Sequence, residues 1–358
     1  MTEPLARNMR LFLEILRCGG PIAPCREHKL GWEDLHVGCV IPLGDMTFSR
    51  KEIVTFAGIY DPQPAHIDDE AAKSTLLGGL AASGWHSCAA LWARAQTGLL
   101  AHCRHRGRPV ITDIRWLAPV RADDTLQLRA IVTHRKPCPR SARLGQTTLR
   151  YDAVNETGSV VMNLKVNHAF ERRADEPLSN ICPRPSVDSG ARNTPQRPRR
   201  RVCSVSFFEQ VETGDEIDLG TYTFTDRSIA EFTTLTGLID SRTGDHSTQV
   251  NAWHLTAAWM QRIVAYYHGQ TERLGRAGTS VPLLGPASGV KHLRWHRRVR
   301  SGDVIHFLSW AERKLDLPSH GSWGLLVCGA EGIDASGRIV VSFNPQLLLG
   351  RRYQCSSA

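Results

Sequence analysis

Polar and apolar positions in residues 49–60 alternate with the period of a helix. Ser49 with Glu52 three residues on forms a capping box, and Ile53, Phe56, Ala57 and Tyr60 share one face. The helix must stop at Asp61, because Pro62 and Pro64 lack amide hydrogens and push their predecessors into extended backbone. The loop 61–66 is therefore expected to be stiff. Asp68 or Asp69 can cap a second short helix through Ala71 and Ala72, and a Gly78-Gly79 turn follows. Ser83 is placed to cap a third helix running to about Thr97, with Gly84 in its first turn. Beyond it, alternating or β-branched apolar runs near 109–120, 125–135, 144–155 and 159–169 predict strands, with turn residues at 122–124 and 156–158.

The same pattern then returns. WEDLHVG at 32–38 reappears as FEQVETG at 208–214, and IPLG at 41–44 as IDLG at 217–220. Phe48 and Phe56 match Phe224 and Phe232, and IRWLAPVRADDTL at 114–126 matches LRWHRRVRSGDVI at 293–305. Four segments follow: a leader over 1–30, a first module over 31–170, a Pro/Arg-rich linker over 171–202 and a second module over 203–352. The linker holds too little apolar surface to fold alone.

The first module carries candidate chemistry that the second lacks. Asp61 and His66 stand five apart on the proline-stiffened loop, and Gly84 begins a helix whose first amides are unpaired and electropositive. An acid/base pair beside an oxyanion-binding amide can polarise a thioester carbonyl while protons move next to it. In the second module Gly237 falls opposite Asp61 and Arg242 opposite His66. Asp240, Asp245 and His246 are nearby, but no Asp and His stand five apart. Its long helix, expected over Ala252–His268, opens without a Ser-Gly pair. The second module is expected to shape an acyl pocket rather than to catalyse.

In the first module these residues resemble the MaoC-like, or type 2, (R)-specific enoyl-CoA hydratases. The family pattern is an Asp, a polar residue two on, Pro, and His five on. An acidic residue two later, an Ala pair and a small residue before Gly at the helix start complete it. Here these are Asp61, Gln63, Pro64, His66, Asp68, Ala71-Ala72 and Ser83-Gly84. Tyr60 stands where many members have Gly, and Gln63 where many have Asn. The resemblance implies an α+β chain of two tandem hotdog domains, each a long central helix wrapped by an antiparallel sheet, joined as an intrachain pseudo-dimer. It implies reversible hydration of a trans-2-enoyl-CoA to the (R)-3-hydroxyacyl-CoA, within fatty acid metabolism. Asp61, His66 and Gly84 would be catalytic, with Tyr60, Gln63, Ser83 and Trp85 near the substrate. Coenzyme A enters as part of the substrate, and no metal or separate cofactor is expected. A hotdog thioesterase and a non-catalytic acyl-thioester-binding scaffold are the competing readings.

Each of these residues also has an ordinary structural reading. Gly84 could be a close-packing glycine, Asp68 a helix cap, Gln63 a solvated loop residue and His86 a satisfied core histidine. Trp85 and Trp92 fit a core or a pocket wall. Arg94, Arg104, Arg106 and Arg108 could meet coenzyme A phosphates, or form a solvated basic surface.

Composition narrows the setting. A formal charge of +9 invites nucleic acid, but the excess sits in the linker and in Arg294 to Arg300, without a nucleic-acid-binding signature. No apolar run reaches the roughly 18 residues of a membrane helix, and Glu14 interrupts the patch from Leu11 to Leu16. Singly spaced cysteines with no Cys-x-x-Cys fit reduced thiols and a cytoplasmic location. An acyl-CoA is the expected partner, nucleic acid and membrane are not, and pairing of two pseudo-dimers is compatible with the plan.

Overall fold

The computed structural model describes residues 29–139, 141–173, 201–202, 206–238, 249–317 and 321–352. The leader before residue 29, nearly all of the linker, and Asp240, Arg242, Asp245 and His246 lie outside them.

The first half opens with strand β1 (Val40–Met46) and helix α1 (Arg50–Tyr60), capped by Ser49 in the expected box with Glu52. Two short helices follow, α2 (Pro64–Ile67) and α3 (Asp69–Lys73). The 61–66 segment is thus not loop throughout. Proline is welcome at a first helical position, where its missing N–H has no partner to lose, so Pro64 starts a turn of helix that carries His66. Asp68 caps α3, its Oδ1 accepting from the amides of Glu70 and Ala71. Helix α4 (Gly84–Gly98) comes next, then β2 (His105–Trp116), β3 (Leu126–Pro137), β4 (Leu144–Val154) and β5 (Val160–Glu171).

The second half repeats the plan. After β6 (Arg201–Val202) come β7 (Asp215–Thr223), helix α5 (Asp226–Thr236) and helix α6 (Ala252–Arg276). Strands β8 (Leu284–Trp295), β9 (Val304–Asp316), β10 (Trp323–Ile333) and β11 (Ile339–Gly350) complete it. Helix α6 runs past the expected end at His268, because no Pro or Gly-based stop interrupts it before Gly278.

All eleven strands form one sheet in the order β1-β3-β4-β5-β2-β8-β11-β10-β9-β7-β6. The order within β1 to β5 is repeated, reversed, by β8 to β7. The two halves meet where β2 pairs antiparallel with β8, Ile111 opposite Leu293 and Ile114 opposite Val290. By the repeat, Ile111 corresponds to Val290 and Ile114 to Leu293, so each pair is the image of the other, as an isologous two-fold contact requires. The join also removes one open sheet edge from each half. The strands alternate buried and exposed positions, and their buried faces pack on the helices. Helix α1 packs against α6, and α4 against α5 and α6, so the helices of the two halves share one core.

Candidate active site

Asp61 ends α1 as its C-cap, and His66 projects from α2 one turn further on. The two are nearly fully buried, at 3% and 6% exposure, and Asp61 Oδ2 lies 3.5 Å from His66 Nε2. Gln63 Nε2 donates to Asp61 Oδ1 at 2.8 Å, and the Ser83 hydroxyl donates to Oδ2 at 2.6 Å. A buried carboxylate needs such donors. On the imidazole, Nδ1 lies 2.7 Å from the carbonyl oxygen of Ala81. A carbonyl only accepts, so Nδ1 carries a proton and Nε2 is left to exchange one on the Asp61 side.

Ser83 holds the N-cap position of α4, but its side chain makes no capping bond. Its hydroxyl is drawn to Asp61 instead. The amides of Gly84 and Trp85 therefore begin the helix without a side-chain acceptor, as an anion-binding helix start requires. Gly84 also meets a packing demand. A Cβ there would fall 2.5 Å from Cε2 of Trp116, whose Nε1 donates to the Gly84 carbonyl at 3.2 Å. Oxyanion site and close-packing glycine are compatible at this one position.

These groups line a cleft of about 460 Å³. Asp61, Gln63, His66, Gly84 and Trp85 face it, and Met260, Pro286, Ala287 and Ser288 of the second half close it. Trp85 sits in its wall, edge-on to Trp116 and to Phe343. Two expected substrate-side residues are elsewhere. Tyr60 is wholly buried away from the cleft, its hydroxyl 3.2 Å from His254 Nε2 in the second half, because the face of α1 that carries it packs on α6. Ser83 is wholly buried behind Asp61. None of Arg94, Arg104, Arg106 and Arg108 lines this cleft, and Arg106 pairs with Glu171. Among the described residues no three His, Cys, Asp or Glu side chains gather as a metal site, and no helix is long and apolar enough to cross a membrane.

One structural pair went unread in the sequence. Trp85-His86 in the first turn of α4 recurs as Trp253-His254 in the first turn of α6. His86 stacks on Phe56 at 4.3 Å with rings 4° apart, and His254 stacks on Phe232 at 4.6 Å with the same angle. Burial holds both imidazoles neutral, lowering His86 to about 4, where the Leu235 backbone and Glu52 partly oppose it, and His254 to about 3. They are core histidines, not groups of the cleft.

Residues 42–154 match the family model of the MaoC-like domain. Among solved structures, the fold resembles a MaoC-domain dehydratase from Chloroflexus aurantiacus, with 15% identity, a TM-score of 0.66 and 92% of this chain covering 100% of that one. It also resembles a conserved hypothetical protein from Mycobacterium tuberculosis described as a double hotdog, with 16% identity, a TM-score of 0.64 and 90% of this chain covering 99% of that one. A MaoC-like dehydratase from Rhodospirillum rubrum is 33% identical over 40% of this chain and 98% of its own, with a TM-score of 0.38. Among curated proteins, none matches the sequence. The chain belongs to the MaoC-like dehydratase family, with the hydro-lyase character that membership entails, on a double hotdog fold.

Proposed function

We propose that the protein reversibly adds water to a trans-2-enoyl thioester of coenzyme A, giving the (R)-3-hydroxyacyl thioester. The observation that carries this reading is the Asp61–His66 pair, 3.5 Å apart at the floor of the cleft and beside the uncapped start of α4. The thioester oxygen binds at the amides of Gly84 and Trp85, where the helix end stabilises the negative charge that develops on it. One water sits between Asp61 Oδ2 and His66 Nε2. With the pair starting as carboxylate and imidazolium, Asp61 takes the water's proton as the hydroxide bonds to the β-carbon, and His66 delivers its Nε2 proton to the α-carbon, keeping the one on Nδ1. Transfer of a proton from Asp61 to His66 then restores the pair. Because one water is held by both groups, hydroxyl and proton reach the same face of the alkene. Gln63 and Ser83 position the carboxylate through its two oxygens. The second half supplies Met260 and residues 286–288 as the acyl-side wall.

Incubation with crotonyl-CoA tests the proposal. Loss of the conjugated-enone absorbance without free thiol is the expected result. Thiol release at the same rate would make the protein a thioesterase, and no turnover across a series of enoyl chain lengths would leave only the fold.

A further inference from the structure

The duplication places a second cleft at the start of α6. It has a volume of about 400 Å³, and its lining shares no residue with the catalytic cleft. Its walls are the repeat's counterparts of the first. Trp85 and Trp116 line one cleft, Trp253 and Trp295 the other. Where the catalytic cleft has Ala118 and Pro119 after its tryptophan, the second has Arg297 and Arg298. Counted back the same distance from the paired tryptophans, Arg108 stands where the catalytic cleft has Ala287.

Three small or apolar wall positions have thus become guanidiniums around one mouth. Arg108 Nη1 donates to the Trp295 carbonyl at 3.2 Å, which holds it at the rim. Arg297 and Arg298 are exposed, and neither guanidinium makes a hydrogen bond or ion pair among the described residues, the Arg297 amide alone donating to the Val340 carbonyl. The neighbouring Asp303 is engaged by the Arg300 amide at 2.8 Å, and Asp334 is paired with Arg338.

The floor has changed in the opposite sense. Asn251 caps α6, accepting from the Trp253 amide at 2.9 Å, the counterpart of the Trp85 amide left open in the first half. Ala252 supplies the Cβ that Gly84 lacks, and the Trp295 indole N–H, whose counterpart on Trp116 is bonded to the Gly84 carbonyl, is buried without an acceptor, as is that of Trp253. A carbonyl-activating helix start has been closed while a cationic rim has been built.

We propose that this second cleft is a non-catalytic binding site for a phosphorylated organic ligand. Arg108, Arg297 and Arg298 hold its phosphates, and the indoles of Trp253 and Trp295 receive its ring or chain. Guanidinium forks match phosphate oxygens in pairs, and a cleft of this size suits a nucleotide-sized molecule. A merely solvated basic surface gives no reason for arginines at equivalent wall positions of a retained cleft.

Adenosine 3′,5′-bisphosphate is the probe, with inorganic phosphate as the small-anion comparison, followed by calorimetry and by tryptophan fluorescence on the full chain. Saturable binding is expected in wild type and in Asp61→Asn, weakened roughly tenfold or more in the double variant Arg297→Ala/Arg298→Ala. Both arginines are exposed, so the fold tolerates their truncation, and a matched circular dichroism spectrum checks it. Absence of saturable binding, or binding undiminished in the double variant, overturns the proposal. Because the readout needs no turnover, its failure and that of the hydratase reading are separately visible.

Discussion

The Ser83 hydroxyl donates to Asp61 Oδ2 at 2.6 Å across twenty-two residues of sequence, and in doing so leaves α4 without a side-chain cap. One side chain thereby serves both ends of the proposed chemistry. It orients the carboxylate that takes the water proton, and it withholds itself from amides that are to meet the thioester oxygen. Ser83→Ala should lower kcat for crotonyl-CoA hydration by roughly ten- to a hundredfold, the loss of a hydrogen bond to a charged group of about 1.5–3 kcal/mol. Ser83→Asn, which supplies a capping oxygen as Asn251 does in α6, should do no better; full activity in either variant would remove the serine from the mechanism.

Asp61→Asn and His66→Gln should each lower kcat by about 10²- to 10⁴-fold, the range for removing a positioned acid or base. Both replacements keep side-chain volume and hydrogen-bonding capacity in a buried place, so circular dichroism should be unchanged. A variant with near-wild-type turnover would break the assignment of the pair.

Gly84→Ala puts a methyl group 2.5 Å from the Trp116 indole. Overpacking of this kind costs about 1–3 kcal/mol, and the displaced indole lines the cleft. Urea unfolding should show the lost stability, and steady-state kinetics a raised KM together with a lower kcat. Adding Trp116→Phe, which shrinks the clashing ring, should recover stability but not activity.

His86 and His254 make stability depend on pH. Unfolded, each imidazole takes up a proton near pH 6.5; folded, burial keeps them neutral down to about 4 and about 3. Between those values the unfolded chain binds more protons, so stability is greatest above pH 6.5 and is lost as the pH falls towards 4. His254→Gln keeps a hydrogen-bonding group opposite the Tyr60 hydroxyl and cannot take up a proton in this range. Unfolding free energies measured from pH 7 to pH 4.5 should fall less steeply in that variant than in wild type.

Much of the candidate site was readable because its signals are local. The Ser49–Glu52 box and the proline stop at Asp61 follow from backbone hydrogen-bonding rules that act within four residues, and each stands where the residues indicated; of the two possible caps Asp68 and Asp69, it is Asp68 that holds the position. Pro64 in the pattern points to loop, yet the same lack of an N–H that ends one helix lets it begin the next. The Trp-His repeat at 85–86 and 253–254 was legible too. It lies one residue beyond the helix openings, Ser-Gly in one half and Asn-Ala in the other, at which the two copies differ.

By itself the sequence determined that the chain is a duplicated α+β protein, that only its first half carries an Asp and a His at hydratase spacing, and where its principal helices begin. Tertiary structure alone decided which partner each side chain took. Ser83 turned from its own helix to a carboxylate 2.6 Å away, Tyr60 left the cleft for His254, and Met260 with residues 286–288 came to wall a site on the other half. The physical reason is one of range. Caps and turns are settled by atoms a few bonds apart, whereas a buried hydroxyl bonds to whatever acceptor the packing of two sheets and their helices brings within about 3 Å.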